Sequence, residues 1–203
     1  MQYPDEEVVS FFNRNKGKFQ KGIDIACGAG RHTFLMASHG IEAVGVDSST
    51  SSIEYAKATA ADKQITNVSF ECKLAQELSF PDQTFDVVVV WGLIHYLDLE
   101  AQQSTLKEAY RILKDGGQLL CTLRSEQDTR AKEGIETEPN RYSVEYFDAG
   151  SSDPKKTLMY FWDEAAVRAK LSDFQSIELG HRVIEPIGKL GNKTAHWLIS
   201  ATK

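Results

Sequence analysis

The stretch Asp24-Ile25-Ala26-Cys27-Gly28-Ala29-Gly30 constrains this chain more than any other, because its two glycines directly follow a short apolar run and precede a helical pattern. Residues 22–26 read as a buried strand. Residues 31–39 carry Phe34, Leu35 and Met36 without β-branching in the middle, and Gly40 stops them as a helix is stopped. A strand that ends in Gly-x-Gly before a helix lets the backbone pass close to a ligand and aims the first helical N–H groups at it. Such turns belong to sheets in which ligands sit beyond the carboxyl ends of parallel strands.

The rest of the chain repeats the alternation. Residues 41–47 form a second strand, a Ser/Thr-rich cap opens a helix near 50–62, and residues 67–72 alternate with period two as a third strand. Phe85 to Trp91 is Val-rich and apolar on both faces, as strands inside a parallel sheet are. Leu99, Leu106, Ala109, Tyr110 and Leu113 recur at helical spacing up to Asp115-Gly116-Gly117, and residues 118–123 give a fifth strand. A helix at 163–171 and two strands near 174–183 and 194–202 complete the pattern, the last two close enough to pair directly. The expected fold is therefore one doubly wound α/β domain over residues 1–203, with right-handed parallel crossovers and a final antiparallel hairpin. Its 203 residues suit a single domain that needs no disulfide staples.

Residues 124–161 break the rhythm. They are polar yet carry Tyr142, Tyr146, Phe147, Tyr160 and Phe161, and a long unpatterned insert in a compact domain is functional or disordered. The aromatics favour an ordered cover over the strand ends.

With 23 basic against 29 acidic residues and a net charge of −6, the chain lacks the broad basic field that nucleic acid rewards, and no nucleic-acid partner is expected. No apolar run approaches the ~20 residues of a membrane span, the start MQYPDEEVV has no signal-peptide character, and no membrane partner is expected. Cys27, Cys72 and Cys121 lie in strand-like contexts with no CxxC pair, so all three are expected as buried reduced thiols in a cytoplasmic protein. No His or Cys cluster has metal-ligand spacing, so no metal is expected.

Two details bear on the ligand of the glycine turn. A dinucleotide turn wants a third glycine where this chain has Thr33, and the carboxylate of Asp24 would repel a pyrophosphate. That argues against a nicotinamide-dependent dehydrogenase. A carboxylate there suits a cation carrying an ammonium and a sulfonium, which favours S-adenosylmethionine, and Asp47 at the end of the second strand is placed to accept both hydroxyls of a ribose. The plainer alternative is that Gly28 and Gly30 only make a turn and Asp24 caps it.

The blocks D-I-A-C-G-A-G, G-I-E-A-V-G-V-D-S-S, L-S-F-P-D-Q-T-F-D-V-V-V-V and R-I-L-K-D-G-G, in that order across residues 20–124, resemble the class I S-adenosylmethionine-dependent methyltransferases. The resemblance is to the small-molecule group that includes the ubiquinone-biosynthesis and tellurite-resistance type enzymes. It implies a seven-stranded, mostly parallel sheet of order 3-2-1-4-5-7-6 with the last strand antiparallel. It further implies that Asp24, Ala26 and the Gly28–Gly30 backbone hold the methionine portion, that Asp47 holds the ribose, and that Ser48 and Ile53 lie beside the adenosine. Where the family often has an acid for the adenine amino group, this chain has Leu74, so adenine reading falls to the backbone near Leu74 and Ala75 or to Gln76.

Methyl transfer from a sulfonium is an in-line displacement that gains much of its rate from orientation, and a base is needed only when the acceptor must lose a proton. The resemblance puts the methyl group beside Trp91-Gly92-Leu93-Ile94-His95-Tyr96. His95 is then a candidate base or acceptor-positioning group with Tyr96 next to it; the alternative is a histidine that hydrogen-bonds backbone at a helix start. Arg124, Tyr142 and Tyr146 are candidates for the acceptor pocket, with an ion pair to an acid of the insert as the alternative for Arg124. No Asn/Asp-Pro-Pro-aromatic or Pro-Cys signature follows the fourth strand, which turns the expectation from nucleobases to a small molecule with an apolar or aromatic body. Two rivals stay open: a protein methyltransferase, and a binding or regulatory protein of the same fold that does not turn over.

Overall fold

The computed structural model describes residues 3–146 and 153–203. Phe147 of the aromatic insert lies outside them. The chain opens with helix α1 (Glu6–Arg14) and then builds β1 (Lys21–Ile25), α2 (Arg31–Ser38), β2 (Glu42–Asp47), α3 (Thr50–Asp62), β3 (Val68–Cys72), β4 (Phe85–Val90), α4 (Leu99–Ile112) and β5 (Leu113–Arg124). The insert holds α5 (Thr129–Glu133), β6 (Ile135–Glu138), β7 (Arg141–Tyr146) and β8 (Lys155–Tyr160), and α6 (Glu164–Lys170), β9 (Ser176–Ile184) and β10 (Thr194–Thr202) follow.

The main sheet has seven strands in the order β3-β2-β1-β4-β5-β10-β9. With the three insert strands left out of the count, this is the expected 3-2-1-4-5-7-6. Strands β3, β2, β1, β4 and β5 pair in parallel, while β10 runs antiparallel to both β5 and β9.

Strand β4 shows why the sheet is covered on both sides. Successive side chains alternate between faces, and Val88 and Val90 join one core with Ile112, Leu119 and Val167, whereas Val87 and Val89 join another with Phe11, Phe12 and Met36. All four valines are fully buried, each worth roughly 1.5–3 kcal/mol relative to exposure.

The second of these cores depends on α1, a helix outside the strand-and-helix alternation of the sequence. Asp5 caps that helix by accepting the Glu7 N–H, and Val8, Phe11 and Phe12 fall on its buried face. A cysteine expectation also needs correction. Cys27 and Cys121 are buried, but Cys72 is exposed, because it ends an edge strand at the open carboxyl side of the sheet, beyond the reach of the core.

The described residues of the insert form a three-stranded antiparallel sheet, β6-β7-β8. Its two ends are zipped together: Trp162 N–H donates to the Arg124 carbonyl at 3.0 Å and Glu126 N–H donates to the Trp162 carbonyl at 3.2 Å. Strand β8 packs against the short 3-10 turn Ile94–Tyr96 that follows β4. Tyr160 stacks on Trp162 at 5.6 Å and carries the insert into the main core.

Candidate functional site

Strand β1 ends in a turn with an unusual run of left-handed residues: Ala26 at φ +61°, Gly28 at φ +54° and Gly30 at φ +84°. A non-glycine residue such as Ala26 adopts this region at a cost of about 1–2 kcal/mol, and three backbone bonds hold it there. Cys27 N–H donates to the Val46 carbonyl, Gly30 N–H to the Cys27 carbonyl, and Phe34 N–H to the Gly30 carbonyl. Gly30 is needed twice over, for its φ and because a Cβ there would stand 2.8 Å from the Phe70 ring. Gly30 offers no side chain to cap α2, and the Asp24 carboxylate does part of that work by accepting both the Thr33 N–H and its hydroxyl, as the plainer reading of the turn has it.

Two acids bracket the turn. Asp24 is 1% exposed and accepts the Thr33 hydroxyl at 3.0 Å. Burial raises its pKa to about 7, against the opposing hydrogen bond from Thr33 and the charge of Arg31. Asp47 accepts the Gly28 N–H on one carboxylate oxygen and the Ser49 N–H on the other, each at 2.8 Å. Each oxygen keeps lone-pair capacity for a further donor, so the residue expected to read a ribose also clamps the turn. Asp47→Ala is expected to cost about 1–3 kcal/mol of stability, the range for hydrogen bonds to a charged group. That is a melting-temperature drop of about 2–12 °C in a chain of this size, to be read by thermal denaturation. A drop below about 1 °C would remove the clamp.

A cavity of about 250 Å³ opens over the turn, lined by Ala26, Gly28, Ala29, Arg31, His32 and Trp91. Its size would suit the aminoacyl end of an adenosylated amino acid rather than the whole molecule. The rest would extend past Asp47 toward exposed Ser48, buried Ile53, exposed Leu74 and half-buried Ala75. The turn leaves room for such a ligand, since a Cβ added at Gly28 would point into open space, and the buried Asp24 carboxyl lies behind it, bonded to Thr33.

The roof of this cavity comes from residues that carry no motif in the sequence. Asp5 N–H donates to His32 Nε2 at 3.2 Å, and the Asp5 carboxylate takes a bidentate pair from Arg182 at 2.7 and 2.9 Å. Trp91 also hydrogen-bonds Asp5; burial opposes ionisation of that carboxyl, but the bonds from Arg182, Glu7 and Trp91 hold it below the usual range. The capping pattern at Asp5-Glu6-Glu7 is a readable signal for the helix, but not for its partner Arg182 near the other end of the chain.

The candidate catalytic residues form a second group beneath the insert. His95 is 1% exposed and its Nδ1 has no hydrogen-bond partner. Burial first, and then the nearby Arg124 charge, push its pKa well below the ordinary value, so the imidazole is neutral at pH 7. Its ring lies 4.4 Å from Tyr96 and 6.4 Å from His196, and burial and Arg124 bring His196 down to about 4. The backbone hydrogen bond entertained for His95 is not seen.

Arg124 is not poised for an acceptor carboxylate. It donates to Asp128 at 2.9 Å, so the ion pair with an acid of the insert is the observed arrangement, buried rather than on the surface. Tyr142 packs edge-on against Phe161 at 5.6 Å in the insert's own small core, and Tyr146 stands exposed at the end of β7. The structure thus gathers Asp24, Ala26, Gly28, Gly30, Asp47 and Trp91 around one turn and His95, Tyr96 and Arg124 in a neighbouring cluster. It leaves Tyr142 and Tyr146 in the insert, because β7 is that sheet's central strand and its side chains serve the insert first.

A methyltransferase domain family matches residues 23–117, which run from within β1 through the glycine turn, β4 and α4 into β5. A demethylmenaquinone methyltransferase of a Geobacillus species is 32% identical over 128 residues, covering 61% of this chain and 52% of that protein. One from Listeria monocytogenes is 29% identical over 191 residues, covering 88% of this chain and 78% of the relative. The chain therefore spans about half the length of the first relative. A solved S-adenosylmethionine-dependent methyltransferase structure from Methanosarcina mazei superposes with a TM-score of 0.77 at 23% identity, over 95% of this chain and 96% of the other. At that identity the likeness establishes the fold.

Proposed function

We propose that this chain is a class I S-adenosylmethionine-dependent methyltransferase that transfers a methyl group from S-adenosylmethionine to a small-molecule acceptor and releases S-adenosylhomocysteine, a reading supported by the methyltransferase domain match over residues 23–117. The observation that carries this reading is the glycine-lined turn ahead of α2 set between two acids, buried Asp24 behind it and Asp47 holding the Gly28 N–H in front of it. The bound cofactor supplies a sulfonium-activated methyl group. The chain's own contributions are binding and orientation. Asp24 holds the ammonium, the α2 N-terminus faces the carboxylate, and Asp47 accepts the ribose hydroxyls while it keeps the turn in shape. Ser48, Ile53 and the backbone at Leu74 and Ala75 flank the adenosine. His95, neutral at pH 7, positions the acceptor rather than serving as a strong base, with Tyr96 beside it. The zipped insert covers the acceptor side and keeps water from it. Three free cysteines support placing this activity in a reducing cytoplasm.

The test is calorimetric titration with S-adenosylmethionine and S-adenosylhomocysteine, with NADH as control, at pH 6 and pH 8. Micromolar binding of both adenosyl ligands and none of NADH is expected. Because a cation selects the ionised form of Asp24, whose pKa is about 7 in the free protein, affinity for S-adenosylmethionine is expected to rise about tenfold from pH 6 to pH 8 and then level off. Absence of adenosyl binding at both pH values would overturn the enzymatic reading in favour of a scaffold that does not turn over.

A further inference from the structure

We propose that the β9–β10 hairpin seats the carboxyl edge of the sheet on an anionic lipid bilayer. The loop between these strands reads Glu185-Pro186-Ile187-Gly188-Lys189-Leu190-Gly191-Asn192-Lys193. It folds as two consecutive tight turns: Lys189 N–H donates to the Pro186 carbonyl at 2.9 Å, and Asn192 N–H to the Lys189 carbonyl at 3.0 Å. The third position of each is a glycine at positive φ, Gly188 at +78° and Gly191 at +87°, as a type II turn requires. The second position of each, the outer corner, is therefore Ile187 and then Leu190. These two side chains are 105% and 94% exposed.

The loop is braced in this shape. Glu185 accepts the Gly191 N–H at 2.8 Å, and the Thr129 hydroxyl accepts the Lys193 N–H at 2.6 Å and ties the hairpin base to the insert. Two aliphatic corners held fully in water by a braced loop call for an apolar medium outside the chain.

Topology and charge say which medium. Strand β9 is antiparallel to β10, which is antiparallel to β5, so the hairpin tip leaves the same edge of the sheet as the glycine turn and the insert. Exposed Ile184 ends β9 at that edge too. Lys189 and Lys193 flank the corners and are exposed. The neighbouring acid, Glu185, is engaged within the loop, while Arg182 and Arg130 are paired with Asp5 and Asp128. Lys189 and Lys193 against Glu185, which keeps its charge while it accepts the Gly191 N–H, give this tip a net charge of +1 in a chain of net charge −6. Two convex aliphatic points among lysines, rather than a broad flat patch, suit insertion among anionic headgroups. The expectation of no membrane partner rested on the absence of a spanning segment, which does not bear on a loop that seats on a surface.

The test is co-sedimentation of the full chain with vesicles of phosphatidylglycerol and phosphatidylcholine, or of phosphatidylcholine alone, with light scattering to read oligomeric state. The parent chain is expected to partition onto the anionic vesicles. The double variant Ile187→Ser/Leu190→Ser is expected to lose at least tenfold in partitioning while keeping the parent's melting temperature. Lys189→Gln/Lys193→Gln is expected to lose about twentyfold on anionic vesicles only. Absence of partitioning by the parent, or equal partitioning by the variants, would overturn the proposal. So would a dimer that the aliphatic variant dissolves, which would assign the hairpin to a second copy of the chain.

Discussion

Asp24→Asn is expected to yield a protein that is more stable than the parent at pH 8 and unable to hold S-adenosylmethionine. The sign follows from linkage. In the native chain the Asp24 pKa is raised from 3.8 to about 7 by burial. Between about pH 4 and 7 the native state keeps a proton that the unfolded state has released, so stability falls as pH rises through this window. At about 1.4 kcal/mol for each pH unit of that window, the loss amounts to at most about 4 kcal/mol by pH 8. Asparagine has no such titration and still accepts the Thr33 hydroxyl. The variant should therefore match the parent near pH 4 and exceed it by up to about 4 kcal/mol at pH 8, as read by urea denaturation across that range. Parallel stability curves would mean that Asp24 is ionised and solvated at neutral pH. The stability the parent forgoes is the cost of keeping a carboxylate ready, in a dry site, for a cationic ligand. Calorimetry of the same variant should accordingly lose the binding.

Asp128→Ala is expected to be the most damaging single substitution outside the glycine turn. Asp128 is fully buried, and its carboxylate accepts bonds from Arg124, from the Arg130 side chain and backbone, and from the Ala195 N–H. Truncation leaves Arg124, only 9% exposed, without its counter-charge among His95 and His196. Stranding a buried charge in this way costs about 3–5 kcal/mol, or a fall of about 6–20 °C in melting temperature for a chain of this length. Asp128 also lies at the junction of β5, β10 and the insert, so hydrogen exchange should show the insert strands losing protection first. A shift under about 2 °C would mean that Arg124 finds water or another partner, and that the ion pair does not anchor the insert.

Both residues show how far the local sequence reaches. Asp24, Gly28, Gly30 and Asp47 are legible because their roles are set by neighbours in the chain: a strand end, a tight turn, a helix start. The alternation of strands and helices is legible because periods of 2 and 3.6 write burial into the order of residues. Thr33 reads in the sequence only as a departure from glycine, although its hydroxyl partners Asp24. The pairing of Asp5 with Arg182 has no sequence signal, since the two residues are far apart in the chain and no periodicity links them. Tyr142 and Tyr146 point toward an acceptor site in the sequence because aromatics in an irregular stretch suggest a pocket. The insert instead forms its own sheet and spends Tyr142 on its own core.

By itself, then, the sequence determined the doubly wound sheet, its strand order through the family resemblance, and the glycine turn flanked by two acids, because short-range periodicity and turn stereochemistry suffice for these. Only the tertiary structure decided the roof that α1 and Arg182 place over the turn, the sealing of His95 and Arg124 beneath a zipped insert, and the two aliphatic corners raised at the carboxyl edge. The roof and the seal arise from contacts between segments far apart in the chain, while the corners are shaped by local turns and reach the carboxyl edge only through the pairing of β9 and β10 with β5.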